Sequence, residues 1–316
     1  MKLDWNRIIF DNHDPKTAWV EIFSSLLKIS LSSSSANSLH DLTVIPDRLL
    51  TEAAWELWEA YPDQVVKTSV LLKEWTNQVS GRAVLILDAL SLRELPILIA
   101  AASSRGIIPQ QLSVSGSECP STTDQFARSL GLPSRSALAN NAKPGTFILF
   151  NSNCYTDVVN MPFEDCTVPP LQNIVIWHSW LDDLIHLNKG PDQIASLTAT
   201  TLHSDGFWEF INKLRKGRSL IITSDHGYAV SKRFSSEVID AEAVKILRET
   251  FSASRNKPIS DPWQQRFMPP IVMSHNNQHI IMGQRKWKVQ SGFPDVCHGG
   301  MSLLEVAVPY IELSAL

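Results

Sequence analysis

Residues 83–91 read AVLILDALS and residues 219–228 read SLIITSDHGY. Each opens on a short apolar, β-branched run that stops at an acid: Ala83–Leu87 before Asp88, and Ser219–Thr223 before Ser224 and Asp225. Runs of this length, without polar alternation, read as strands covered on both faces. Asn173–Trp177 and Thr146–Phe150 share the texture, and each run is followed by polar residues and a helical stretch. Strands alternating with helices predict an α/β fold with a mostly parallel sheet between helical layers. In such sheets ligands gather beyond the carboxyl ends of the strands, where Asp88 and Asp225 are expected.

Upstream the pattern changes. Residues 1–80 read as a helical segment, with no glycine before Gly81. Ala18–Ile29 and Thr51–Trp75 carry apolar residues at helical spacing, including Trp55, Trp58, Val65, Leu71, Leu72 and Trp75. Pro62 is expected to break or kink the second segment, and the serine run 32–35 reads as a loop. Downstream, residues 235–296 interrupt the alternation. IVMSHNNQHIIM predicts two short strands around Asn276-Asn277, an insertion or edge hairpin rather than a separate domain.

The 316 residues carry 28 Lys+Arg against 32 Asp+Glu, a net charge of −4. That balance speaks against binding nucleic acid through a broad basic surface. With 44% hydrophobic residues the chain can bury a core, so disorder is excluded. Ten Trp point to a large core or an aromatic-lined groove. The cysteines, Cys119, Cys154, Cys166 and Cys297, form no CxxC pair and no disulfide framework. The start of the chain has no signal-peptide pattern, and the apolar stretch Leu95–Ala102 is too short to span a bilayer. A soluble, cytoplasmic protein without a membrane partner is the expectation.

Chemistry collects at the predicted strand ends. Asp225 and His226 supply an oxygen and an imidazole at one turn, and Gly227 permits close backbone approach. In NIVIWHSWLDDLIHL, Asp182 and His186 stand four apart and share one face if the segment is helical, whereas Asp183 points elsewhere. CHGGMSLLEVAVPYIEL sets His298 before two glycines. Each residue alone has a commoner fate: Asp88 as a helix cap, His298 as a structural histidine. Together Asp88, Asp182, His186, Asp225, His226 and His298 make an inventory suited to two divalent ions, zinc or manganese ahead of magnesium because of the imidazoles. Such a pair clamps the oxygens of an in-line displacement. For a covalent route SECPSTTDQFARSLG offers Ser121, Thr122 and Thr123 as nucleophiles before a helix. Ser91 is a rival that would crowd Asp88. Arg93 and Arg128 are candidate phosphate contacts.

ILDAL, ITSDHGY and HGGMSLLEVAVP, in this order, resemble the PglZ domain family of the alkaline phosphatase superfamily. The motifs span most of residues 81–316; residues 1–80 carry none. The resemblance implies a three-layer α/β/α sandwich, two metal ions, usually zinc, and a Ser or Thr nucleophile passing through a phosphoenzyme. Carried over, Asp88, Asp225, His226 and the nucleophile hold one metal, and Asp182, His186 and His298 the other. The family's P-x-x-T loop matches Pro120–Thr123 and selects Thr123 over Thr122. Two departures stand out: Ser91 replaces a frequent Arg, with Arg93 two residues on, and His178 is a competing ligand for the second metal. PglZ-like domains are associated with phage defence of the BREX type and with response regulators, and some are phosphodiesterases. The implied activity is therefore hydrolysis of a phosphate ester or nucleotide. The alternative is an inactive scaffold that binds a protein partner through the Trp-rich N-terminal helices.

Overall fold

The computed structural model describes every residue except 1, 2, 13, 34, 79, 80, 188, 235, 264–266 and 291. One member of the serine run, Ser34, therefore lies outside the described residues. Five helices come first: α1 (Trp5–Phe10), α2 (Pro15–Ser32), α3 (Ala36–Glu52), α4 (Trp55–Gln64) and α5 (Thr68–Thr76). Asp14 caps α2 by accepting from the Lys16 and Thr17 amides, with Pro15 at the first helical position. Ala18, Trp19, Ile22, Phe23, Leu26 and Ile29 form its buried stripe. The second predicted segment divides differently from the expectation. Pro62 sits inside α4, and the break comes at Val65, where the backbone turns extended. Four of the ten tryptophans, Trp19, Trp58, Trp177 and Trp287, are fully buried in the core. Trp19 also packs on Trp58 and Tyr61 with centroids 4.9 and 5.1 Å apart.

Six strands build the central sheet: β1 (Arg82–Leu87), β2 (Gln111–Gly116), β3 (Tyr155–Val159), β4 (Asn173–His178), β5 (Ser219–Thr223) and β6 (Ala307–Leu313). Their order is β2-β6-β5-β1-β4-β3, and only β6 runs antiparallel to its neighbours. Two expectations change. Thr146–Phe150 is not a strand; it enters a 3-10 turn at Leu149–Ser152, with Phe150 and Asn151 at positive φ, and its apolar residues plug the core instead. The edge strand β2 escaped notice because QLSVSG is half polar.

Pleating divides the sheet's side chains between two layers. Ala83, Leu85 and Leu87 pack with the helices α6 (Leu95–Ser103), α9 (Pro191–His203) and α10 (Asp205–Arg215) and with the N-terminal helices. Val84 and Ile86 face α5 and α7 (Thr123–Ser129) on the other side. The result is an α/β/α sandwich, into whose first layer α2 and α4 are built. The hairpin Val272–His275/Gln278–Ile281 turns at Asn276-Asn277, both at positive φ. It pairs with Asn256–Pro258 in a separate three-stranded sheet rather than on the central sheet's edge. Beside it the helix α11 (Ala241–Phe251) closes a small apolar cluster of its own around Leu247, Phe251 and Trp287.

Candidate metal centre

Register brings the strand ends level. Leu87 pairs with His178, and Ile86 with both Trp177 and Thr223. Asp88 and Asp225 therefore leave adjacent strands at one edge, both fully buried. Ala89, at φ 63°, turns the chain sharply after Asp88 and aims its amide at Asp225 Oδ1, 3.1 Å away. Ser224 Oγ donates to that oxygen at 3.2 Å. Asp225 Oδ2 accepts from Thr123 Oγ1 at 2.9 Å. Thr123 Oγ1 also lies 3.4 Å from Asp88 Oδ1 and 3.3 Å from His226 Nε2. The Gly227 carbonyl stands 3.0 Å from His226 Nδ1, and a carbonyl only accepts. Nδ1 therefore carries a proton toward that carbonyl, which leaves Nε2 as the ring atom turned to the carboxylates.

The loop carrying Thr123 is tied down on its far side. Thr122 is the N-cap of α7, 3.4 Å from the Gln125 amide. Ser121 Oγ donates to the Gly300 carbonyl at 2.8 Å and accepts from the Gly299 amide at 3.0 Å. That bond couples this loop to the His298-Gly-Gly turn. The turn itself is fixed by the fully buried pair Arg255–Glu305, 2.7 Å apart, with Glu305 also accepting from the Gly300 amide.

The second group lies alongside. Asp182 Oδ1 is 3.3 Å from His186 Nε2 and 4.0 Å from His298 Nε2, on the helix α8 (Trp180–Ile185) and its C-cap. Burial, then the His226 ring stacked 4.2 Å away, drive His298 down to about 4, so it is neutral at physiological pH. Its Nδ1 is buried with no hydrogen-bond partner. His186 is the outlying member, with its side chain 62% exposed. Among the described residues, two sets of ligand atoms come close enough to share an ion: Asp88, Asp225 and His226, and Asp182, His226 and His298. His226 thus bridges the two sets, whereas the family pattern gave it to one metal. Burial, Asp225 and Asp182 raise Asp88 well above the usual carboxylate range. Oxygen and imidazole donors crowded in this way fit a divalent cation.

The competing residues find other roles. His178 is buried, stacks on Phe163 at 4.1 Å, lies 3.1 Å from the Met161 carbonyl and accepts from the Trp180 amide. It is a structural histidine. Asp183 accepts from Ser179 Oγ. Ser91 is buried in the turn after Asp88, where its Oγ accepts from the Arg93 amide. Arg93 is buried over the Tyr228 ring and Arg128 is exposed. The arginine at the carboxylates is instead Arg135, whose Nη1 donates to Asp88 Oδ2. It lies in a loop without motif character, so no sequence signal singled it out.

No family model matches the chain. It is 26% identical over 197 residues to the alkaline phosphatase-like protein BrxZ of Escherichia coli O9:H4 (strain HS). The match takes in 59% of this chain and 22% of the relative, so the chain spans about a fifth of that protein's length. The PglZ-type, alkaline phosphatase-like resemblance of the motifs agrees with this match. Among solved structures, phosphonoacetate hydrolase of Sinorhizobium meliloti 1021 is 12% identical with a TM-score of 0.41, over 75% of this chain and 90% of that one. Murine ectonucleotide pyrophosphatase/phosphodiesterase 5 is 12% identical with a TM-score of 0.41, over 73% and 87%. Among the described residues no helix is long and apolar enough to cross a membrane.

Proposed function

Taking the PglZ-type resemblance as premise, we propose that the chain is a divalent-metal-dependent hydrolase of phosphoric esters with Thr123 as its nucleophile. One observation carries the reading: Thr123 Oγ1 sits within 3.4 Å of Asp88, Asp225 and His226 together. Asp88, Asp225 and His226 would hold one cation, and Asp182, His186 and His298 the other, with zinc first and manganese second. When bound, such ions supply Lewis acidity that stabilises an alkoxide and the charge on a phosphoryl group. Thr123 attacks phosphorus as its hydroxyl proton passes to Asp225 Oδ2, and the ester oxygen departs with the bond electrons and takes a proton from solvent. Water then attacks the phosphothreonine, giving up one proton to solvent. The P–O bond to Thr123 breaks as Asp225 returns its proton, freeing phosphate from a monoester or a phosphate monoester from a diester. Asp225, which already accepts from the hydroxyl, orients it for attack.

Residues 81–316 form the hydrolase body in this reading, with 235–296 inserted in it and 1–80 added before it. The class of substrate is a phosphate ester or nucleotide. A role in phage defence or signalling follows from the resemblance alone, and a cytoplasmic setting from the cysteine usage. A protein partner would meet the outer face of the N-terminal helices, where Val20, Leu42 and Ile45 are exposed. The test is metal content after dialysis against zinc or manganese, together with hydrolysis of bis- and mono-p-nitrophenyl phosphate. Close to two equivalents of metal and chelator-sensitive turnover are expected. Neither metal uptake nor turnover would leave a scaffold with a hydrolase fold.

A further inference from the structure

The two oxygens of Asp88 have separate partners. Oδ1 faces Thr123 Oγ1 at 3.4 Å and His226 Nε2 at 3.9 Å. Oδ2 accepts from Trp177 Nε1 at 2.9 Å and from Arg135 Nη1. We propose that Arg135 is a positioning residue for Asp88: with Trp177 it engages Oδ2, so that Oδ1 alone is offered to a cation. This rests on the metal-dependent reading above.

The two donors arrive from opposite directions. Trp177 comes from β4, inside the sheet, and is fully buried. Arg135 comes from the 3-10 segment Arg135–Asn141, with its side chain 27% exposed. That segment is anchored. Leu138 is buried in one apolar cluster with Phe126 and Trp177, whose rings meet edge to face at 5.5 Å. The Asn140 amide donates to Asp157 Oδ1 at 2.9 Å, and Asn141 Oδ1 accepts from the Thr156 amide at 3.3 Å, pinning the loop to β3. A carboxylate with one idle oxygen can swing to bind a cation through both. With both donors on Oδ2 the carboxylate plane is fixed before any ion arrives, and partners behind a ligand set metal affinity in this way. The guanidinium stays charged throughout and presents its donors in a rigid plane, which an ammonium does not.

The test compares the whole chain with R135A, R135K and W177F, each titrated with zinc by calorimetry and with cobalt(II) by visible absorption. R135A is expected to keep its far-UV circular dichroism and to bind one cation about 10–100-fold more weakly. Its cobalt spectrum should shift as the carboxylate becomes free to bind through both oxygens. R135K should fall between R135A and the native chain, and W177F should shift the cobalt spectrum in the same direction. Unchanged affinity and spectrum in R135A would overturn the positioning role. So would a raised KM with unchanged metal binding, which would assign Arg135 to the substrate instead. If the native chain binds neither ion, the metal-dependent reading itself falls, which the comparison with R135A distinguishes from failure of the positioning role alone.

Discussion

The imidazoles of His226 and His298 lie ring on ring, with centroids 4.2 Å apart and planes 8° from parallel. Two imidazolium ions would repel at that distance, so the stack holds when at least one ring is neutral. His298 is that ring, driven to about 4 by burial and by His226. A neutral histidine is also the form that ligates a metal. The stack joins the turn after β5 to the turn before β6, and the Gly227 amide donates to the Glu305 carbonyl at 2.9 Å to hold the two turns together.

Adjacent threonines separate chemistry from capping. Thr123→Ala is expected to lower turnover by about 10³- to 10⁶-fold, the range for losing a covalent nucleophile, with little change in stability. Thr122→Ala removes the α7 cap instead, costing about 1 kcal/mol with turnover largely kept. Steady-state rates and urea unfolding of both variants decide the matter; equal turnover losses would remove the assignment to Thr123.

Ligand deletions should be graded by burial. Asp225→Ala removes a fully buried carboxylate whose two oxygens serve Ala89 and Ser224 on one side and Thr123 on the other, and the equivalent of metal it helps hold should be lost outright. His186→Ala removes a rim ligand, so one equivalent should bind about tenfold more weakly while the other is unchanged. Atomic absorption after gel filtration reads both. Equal losses in the two variants would contradict the graded arrangement.

His178 should matter to folding and not to metal. His178→Ala orphans the Trp180 amide and empties the stack on Phe163. The expected cost is about 2–4 kcal/mol from the lost hydrogen bond and buried volume. Metal stoichiometry should stay at the native value. A loss of one equivalent would return His178 to the ligand set.

Parallel register explains why the candidate site was legible in the sequence. When apolar runs pair in parallel, the residue after each run lands at the same edge, so AVLILD and SLIITSD announce their acids as neighbours. Where side-chain contacts decide, the sequence was silent. His178 and His186 are both plausible ligands as text; only the packing of Phe163 removes the first. Arg135 reaches Asp88 through a loop whose course depends on Leu138, Asn140 and Asn141. Thr146–Phe150 has strand composition, yet Phe147, Leu149 and Phe150 fill the core from a turn. The helical N-terminus was legible as a class but not in its boundaries, because Pro62 is tolerated within α4 and the chain breaks where Val65 turns extended.

Asp47 offers a pH-dependent test of how the N-terminal helices brace the site. Its Oδ2 accepts from the Leu303 amide at 2.8 Å, at the start of the short helix α12 (Leu303–Val306). Burial raises Asp47 from 3.8 to about 7, with Glu305 adding to the rise. Between those values the folded state holds a proton that the unfolded chain has released. The stability that this proton confers is full below about 4 and is lost as pH rises through about 7. Asp47→Asn keeps an acceptor without the titration. Relative to the native chain it should be neutral or slightly destabilised at pH 4.5 and gain a few kcal/mol by pH 8, as read by urea unfolding. A stability difference that stays flat across this range would rule out the raised carboxyl.

Gly227 sets how closely the two halves of the site approach. A Cβ there would stand 2.2 Å from the Leu304 carbonyl oxygen, a backbone atom of α12. No rotamer relieves that contact, so Gly227→Ala must displace either the Asp225-His226 turn or α12. Overpacking of this kind costs about 1–3 kcal/mol. The displacement falls on His226, the ligand shared by both candidate ion sets, so metal affinity should fall together with stability. Unfolding and zinc titration of the same preparation test the coupling. A variant that loses stability but binds zinc like the native chain would place the strain in α12 and leave His226 where it is.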